Sequence, residues 1–258
     1  MPDSVFTIEN LSFSYGDRPV FDGLNLAFPS GAVTTVIGAN GSGKSTLFGL
    51  MSKNLTPDAG RVMLRRASVA DVRLRDFARL VSLVHQRNTM PTGITVDQLV
   101  GFGRTVHRRM GRSALSSEDE RMIAWALNTC GLAAEAAAEA ASLSGGQAQR
   151  AWIAMALAQG ADVLLLDEPT TYLDIRYQLD VLRLVRRLNR EHGMTVIMVL
   201  HDINQAMRYS DEVVALAEGR LVVQGSPMQV LTPAVLREVY GVDLPVAEVD
   251  GRRFVITV

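Results

Sequence analysis

The chain has 258 residues, with 26 Lys and Arg against 27 Asp and Glu, and 48% of its residues are hydrophobic. These are ordinary globular proportions, which exclude disorder, collagen-like repeats and a disulfide scaffold. A formal net charge of −1 argues against nucleic acid as the main partner, because neutralising phosphates needs a basic surface.

In chain order, Val5–Leu11 is apolar-rich and Val20–Phe28 alternates apolar and polar residues, so both read as strands around a turn at Gly16-Asp17. Pro29-Ser30-Gly31 breaks the chain. Ala32–Ile37 is a continuous apolar run of the kind buried on both faces of a parallel sheet. It leads through a glycine-rich loop into a helix from about Lys44 to Leu50. Residues 60–87 read as a strand pair and a segment ending in Leu80–Val84.

From Gln86 to Gly160 helical patterns dominate: Val96–Phe102, Ser117–Cys130 with Ser117 and Glu120 as a capping box, and Gln147–Gln159. The alanine-rich stretch Ala133–Ala141 reads as helix or a helix end. Alternation of strands and helices then returns. Val163–Leu166 and Thr195–Leu200 are buried strands, Arg176–His192 is a helix stopped at Gly193, and Asn204–Tyr209 is a short helix. Glu212–Ala217 and Arg220–Gln224 form a hairpin about Glu218-Gly219. The tail holds a short helix near Pro233–Tyr240 and a final strand near Arg253–Val258.

One cysteine, Cys130, excludes an intramolecular disulfide and a cysteine metal site, and it suits a reducing compartment. No apolar run approaches the roughly 18–20 residues that cross a bilayer, and the N-terminus lacks a signal-peptide pattern. The expectation is a soluble, cytoplasmic protein. The cationic side chains are 24 Arg and only two Lys, Lys44 and Lys53. In such a chain a Lys marks a place that needs a compact ammonium.

Gly38-Ala39-Asn40-Gly41-Ser42-Gly43-Lys44-Ser45 fits the phosphate-loop pattern and sits where it must, after a buried strand and before a helix. Its glycines let backbone N–H groups face phosphate oxygens, and the helix N-terminus adds partial positive charge. Lys44 then reaches the outer phosphates and the Ser45 hydroxyl ligates Mg²⁺. Val163–Leu166 runs into Asp167 and Glu168. Ligands of open α/β sheets bind at the carboxyl ends of strands, so Asp167 is a metal-holding candidate and Glu168 a candidate general base. Ser144-Gly145-Gly146-Gln147 opens another helix and makes a second anion-binding turn. Two such turns exceed what one nucleotide needs, which suggests that a nucleotide is shared between two subunits.

Together, GANGSGKST, LSGGQ, VLLLDEP and a later His resemble the ATP-binding subunit of ABC transporters over nearly the whole chain. The resemblance implies an α/β fold: a P-loop NTPase (RecA-like) core with an antiparallel β subdomain and an inserted α-helical subdomain. Residues 1–86 and 160–230 would form the core, 87–159 the helical subdomain and 231–258 a short tail of a single cassette. It implies ATP and Mg²⁺ as cofactors. It assigns Tyr15 to stacking on adenine and Gln86 to Mg²⁺ and the attacking water. Asp174 falls to a loop that crosses a dimer interface, and His201 to the γ-phosphate. Gly38, Asn40, Gly41, Ser42, Gly43 and Thr46 complete the phosphate cradle.

Two departures stand out. Ala148 replaces a basic residue common after the LSGGQ glutamine, and Arg65-Arg66-Ala67-Ser68-Val69-Ala70 replaces a glycine-containing turn.

Within the family, Gly93–Val96, Thr170–Ile175 and Leu200–Ala206 resemble the ATPases of iron-siderophore importers, as does the tail from Gln224 to Val242. Haem or cobalamin importers, an exporter and a soluble non-transport ATPase are the alternatives. The resemblance implies a homodimer docked under integral-membrane permease chains at the cytoplasmic face of the inner membrane. A solute-binding protein acts indirectly and no nucleic acid is involved. Residues 61–112 carry 11 Arg against 3 Asp. A solvated face is the simpler reading. Contact with lipid headgroups or permease loops is the sharper one, to be tested by charge reversal at Arg108 and Arg109.

Overall fold

The structure is a computed structural model and describes residues 3–108, 114–249 and 252–256. The first half of the chain gives β1 (Ser4–Tyr15), β2 (Arg18–Pro29), β3 (Val33–Ile37), α1 (Lys44–Met51), β4 (Ala59–Leu64), β5 (Ala67–Ser68), α2 (Leu74–Phe77), β6 (Val81–Val84), α3 (Val96–Gly101) and α4 (Ser117–Thr129). The second half gives α5 (Gly145–Ala158), β7 (Val163–Leu166), α6 (Ile175–His192), β8 (Thr195–Val199), α7 (Ile203–Tyr209), β9 (Glu212–Ala217), β10 (Arg220–Gly225), α8 (Pro227–Val230), α9 (Pro233–Tyr240), β11 (Val246–Val249) and β12 (Arg252–Val255). These fall into two compact units, Met1–Val72 with Asn189–Val258, and Arg73–Leu188.

The first unit contains an antiparallel sheet in the order β2-β1-β4-β5. Phe6 pairs with Phe28 and Ile8 with Leu26, and the alternation read in β2 places Leu24, Leu26 and Phe28 in the core. The turn from β4 to β5 forms with Arg65 at φ 55°, a position where glycine is the unstrained choice. A second set of strands has β3 between β8 and β9, parallel to both, with β10 antiparallel to β9. Every residue of β3 and β8 is buried, Thr34, Thr35 and Thr195 included, so neither strand shows the apolar-polar alternation of a half-exposed strand. The turn between β9 and β10 puts Glu218 at φ 48° and Gly219 at φ 73°, the left-handed pair that a two-residue hairpin requires.

The tail is more built than expected. The final strand, β12, pairs with β11 in a hairpin. The Asn204 side chain of α7 holds that hairpin at two points: its Nδ2 donates to the Val255 carbonyl at 3.0 Å and its Oδ1 accepts from the Val255 amide at 2.8 Å.

In the second unit β6 and β7 are parallel and in register, with Val84 opposite Leu166. Helices α3, α4 and α5 pack on one another, burying Leu99, Val100, Ile123, Leu127, Ile153 and Leu157. A buried ion pair ties this block together. Arg104 Nε donates to Asp119 Oδ1 at 2.8 Å, and its Nη1 donates to the Ala158 carbonyl at 2.8 Å. Burial by itself would raise the Asp119 carboxyl. The Ser116 hydroxyl, the Arg104 guanidinium and the Ser116 amide outweigh it and bring the group down to about 2. Cys130 is buried, which pushes its thiol up to about 12 and leaves it unreactive.

Two sequence expectations are corrected here. The cap of α4 is Ser116 with Asp119, one residue before Ser117 with Glu120. Asp119 serves as both the capping carboxylate and the partner of Arg104, so burial of the pair selects the register. The stretch Ala133–Ala141 is not an α-helix: it holds 3-10 turns at Ala133–Glu135 and Ala140–Ser142. Its carbonyls are used elsewhere. Ala138 and Ala136 accept from the Val96 and Asp97 amides, the first two of α3, and Ala140 donates to Ile94. Satisfying another helix's orphan N–H groups overrides alanine's helical preference. Among the described residues no helix is long and apolar enough to cross a membrane.

Candidate functional site

In the first unit the phosphate loop follows β3 directly. Gly38 packs so closely that a Cβ there would overlap the Ser42 hydroxyl and come within 2.5 Å of the Leu216 carbonyl oxygen. Gly43 stands at φ 100°, and a Cβ on it would lie 2.6 Å from the Phe21 ring. Each glycine is therefore set by its neighbours as well as by the loop's curvature. Lys44 is 6% exposed, and its Nζ donates to the carbonyls of Gly38 at 2.8 Å and Ala39 at 2.9 Å. The ammonium thus closes the loop on itself. The first turn of α1 has no acidic residue and no side-chain cap, which suits an anion at its amides. Asn40, Gly41 and Ser45 are exposed, while Ser42 and Thr46 are buried.

A residue that sequence reading took only for a turn belongs to this loop's support. The Gly219 amide donates to the Ser42 carbonyl at 3.3 Å, and a Cβ on Gly219 would overlap the Val20 carbonyl oxygen. The signal available was the Glu218-Gly219 dipeptide, which encodes the turn but not the approach to Ser42.

Tyr15 ends β1, is 54% exposed, and its ring stands perpendicular to that of Phe13 with centroids 4.9 Å apart. His201 is exposed and follows β8; the next residue, Asp202, caps α7 by accepting from the Gln205 amide at 3.0 Å. Lys53, the other lysine, donates from Nζ to the carbonyls of Val69, Ala70 and Val72 at 2.7, 2.8 and 2.7 Å. All three N–H donors of the ammonium are used, a geometry that a planar guanidinium does not reproduce.

In the second unit Asp167 and Glu168 follow β7, both half-buried. Glu168 adopts φ 51°, a left-handed backbone of about 1–2 kcal/mol in cost. Gln86 Nε2 donates to Glu168 Oε2 at 2.6 Å, and Thr171 Oγ1 donates to the same oxygen at 3.0 Å. The structure therefore brings Gln86 and Glu168 together and adds Thr171, which sequence reading missed. Ser144 caps α5, and Gln147 closes the capping box and donates to Glu135 at 3.0 Å. The Gln147 side chain is thus engaged within its own unit. Asp174 caps α6 by accepting from the Tyr177 amide at 3.2 Å. The segment around it is open to solvent, with Tyr172 77% and Ile175 74% exposed.

The Ser45 hydroxyl, Gln86 amide and Asp167 carboxylate are hard oxygen donors of the kind Mg²⁺ takes alongside phosphate and water. Among the described residues no cluster of three His, Cys, Asp or Glu could hold a metal alone. Part of the arginine-rich segment is engaged in bonds within the chain. Arg61 pairs with Glu9, Arg79 with Asp76 and Arg104 with Asp119, while Arg75 donates to the carbonyls of Val106 and Arg108. Arg109 lies outside the described residues.

Known proteins resemble this chain over most of its length. The family model described as ABC transporter matches residues 21–171. The iron(3+)-hydroxamate import ATP-binding protein of Bacillus subtilis (strain 168) is 45% identical over 91% of this chain and 87% of its own. The ferric enterobactin transport ATP-binding protein of Escherichia coli (strain K12) is 42% identical over 93% of this chain and 90% of its own. Among solved structures, an inward-facing metal-chelate type ABC transporter superposes with a TM-score of 0.84 at 29% identity, covering 98% of this chain and 96% of that one.

Proposed function

The chain belongs to the ABC transporter family and has its P-loop NTPase fold, and on that premise we propose that it is the ATP-hydrolysing subunit that powers import of a ferric siderophore through separate permease chains. The observation that carries the catalytic reading is the closed phosphate loop, with Lys44 folded onto Gly38 and Ala39 at the head of α1. The substrate class is supported by the ferric-chelate importers named above.

In this reading the amides of Gly38–Ser45 hold the phosphates, Lys44 moves from its own carbonyls to the outer phosphate oxygens, and Tyr15 stacks on adenine. Ser45, Gln86 and Asp167 hold Mg²⁺, which supplies charge neutralisation at the phosphate oxygens when bound. Glu168 accepts a proton from the attacking water, with Gln86 and Thr171 fixing its orientation. His201 donates to the γ-phosphate. The chain works as a homodimer in which Ser144, Gly145 and Gly146 of one copy cap the nucleotide held by the other, and Asp174 lies at the shared face. The pair docks on permease chains at the cytoplasmic face of the membrane, and a solute-binding protein delivers the cargo to those chains.

Uptake of labelled iron from a panel of ferric siderophores, with haem and cobalamin alongside, tests the proposal in cells carrying wild type or Lys44→Ala. Loss of ferric-siderophore uptake is expected. Loss of haem or cobalamin uptake alone replaces the substrate, and no loss of any uptake overturns the importer reading.

A further inference from the structure

The two glycines of the Ser144-Gly145-Gly146 turn are not equivalent. Neither has a positive φ, so backbone conformation requires glycine at neither. A Cβ built on Gly145 meets only Leu173 Cδ2, at 3.9 Å, an ordinary contact. A Cβ built on Gly146 would overlap Cγ and Cδ1 of the Tyr177 ring and lie 2.9 Å from its Cε1. The ring therefore rests on the Gly146 backbone, in the first turn of α5. Tyr177 itself belongs to the first turn of α6, which two side chains fasten. Asp174 Oδ1 accepts the Tyr177 amide, and Gln178 Nε2 donates to the Leu173 carbonyl at 2.9 Å.

We infer that Tyr177 is a positioning residue for nucleotide hydrolysis: its ring seats the Ser144–Gly146 turn against the segment that carries Asp174, and this contact within one chain is what makes glycine obligatory at 146. The inference rests on the proposed role of that turn as a nucleotide cap. Any need for glycine at 145 then comes from outside the chain, from the ligand or a second copy. The ring transmits a shift of Asp174 to Ser144 without a hydrogen bond, so its shape matters and its hydroxyl does not.

The test is a double-mutant cycle on the full-length protein, read by thermal melting, tryptophan emission and ATPase kinetics. Trp125 and Trp152 are the two tryptophans, Trp152 on α5 itself and Trp125 on α4, which packs on it, so emission reports on the surroundings of α5. Gly146→Ala is expected to lower the melting temperature and shift emission in wild type. In a Tyr177→Ala background the same change is expected to raise the melting temperature, because alanine is the better helix former once the ring is gone. Gly145→Ala, matched for helix propensity, lowers it in neither background. Tyr177→Ala is expected to reduce kcat about tenfold with the affinity for ATP kept within about twofold, and Tyr177→Phe to restore kcat.

Equal destabilisation by Gly146→Ala in both backgrounds, or failure of Tyr177→Phe to restore kcat, overturns the inference. A failure of the capping role reads differently. Ser144→Ala and Tyr177→Ala would then both leave kcat unchanged, while the reversal in melting temperature would persist.

Discussion

The phosphate loop of the first unit and the acidic strand end of the second both follow a buried parallel strand, yet they are held in different ways. The loop is fixed by main-chain atoms. Lys44 bonds to two carbonyls, the Gly219 amide bonds to the Ser42 carbonyl, and Gly38 and Gly43 exclude any side chain. The acidic end is fixed by side chains on side chains. Gln86 and Thr171 share one oxygen of Glu168, whose own backbone is left-handed. The difference teaches where each region can fail. A loop held through its main-chain atoms is preorganised, and disturbing it is expected to cost binding and stability together. A carboxylate steered by exchangeable side-chain bonds can be detuned for chemistry while the fold stands.

The largest expected effects separate the two regions most sharply. Glu168→Gln should keep ATP binding and lose hydrolysis by about 10³-fold or more, whereas Lys44→Ala should lose productive binding. Isothermal binding and turnover measured on both variants would break the comparison if the two lost affinity equally. Next comes Gly219→Ala, which forces a Cβ against Val20 at a positive φ. A loss of about 2–4 kcal/mol in unfolding free energy is expected, accompanied by weaker ATP binding. Urea titration with and without ATP would show whether the two losses travel together, and unchanged affinity in a destabilised protein would detach Gly219 from the loop.

The Arg104–Asp119 pair gives a smaller effect with a defined sign. The Asp119 carboxyl sits at about 2 in the folded chain, below its ordinary value near 4. Between these pH values the unfolded state binds more protons, so stability falls as pH falls. The contribution, about 2 kcal/mol, is complete above about pH 4 and lost as pH drops through about 2. Acid titration followed by tryptophan emission should lose this step in Asp119→Asn, and a step retained there would assign it to another group.

The smallest expected change is Thr171→Val, which removes one hydrogen bond to Glu168, worth about 1 kcal/mol. It should lower kcat severalfold while the melting temperature stays put. A fall in melting temperature with normal kcat would mean that the acidic end is built like the loop after all.

Much of the fold and the site is legible in the sequence because the signals are local. GANGSGKS encodes its own turn, Val163–Leu166 shows full burial by its unbroken apolar run, and Glu218-Gly219 names a two-residue hairpin. The misreadings have one cause. Ala133–Ala141 has helical composition, but its carbonyls are drawn to the start of α3. Ser117 yields to Ser116 because Asp119 must also meet Arg104. In both cases a distant partner decides, and pattern along the chain carries no trace of it.

The sequence by itself showed a phosphate-loop pattern, the carboxylates that follow the buried strand and the residues that turn the chain, since spacing of a few residues suffices for each. Only the tertiary structure decided that Gly219 supports Ser42, that Thr171 steers Glu168, that Asn204 clamps the terminal hairpin and that Tyr177 fills the space beside Gly146. Three of these four contacts join positions tens of residues or more apart; hydrogen bonding sets what Thr171 and Asn204 must be, and close packing sets what Gly219 and Gly146 accept.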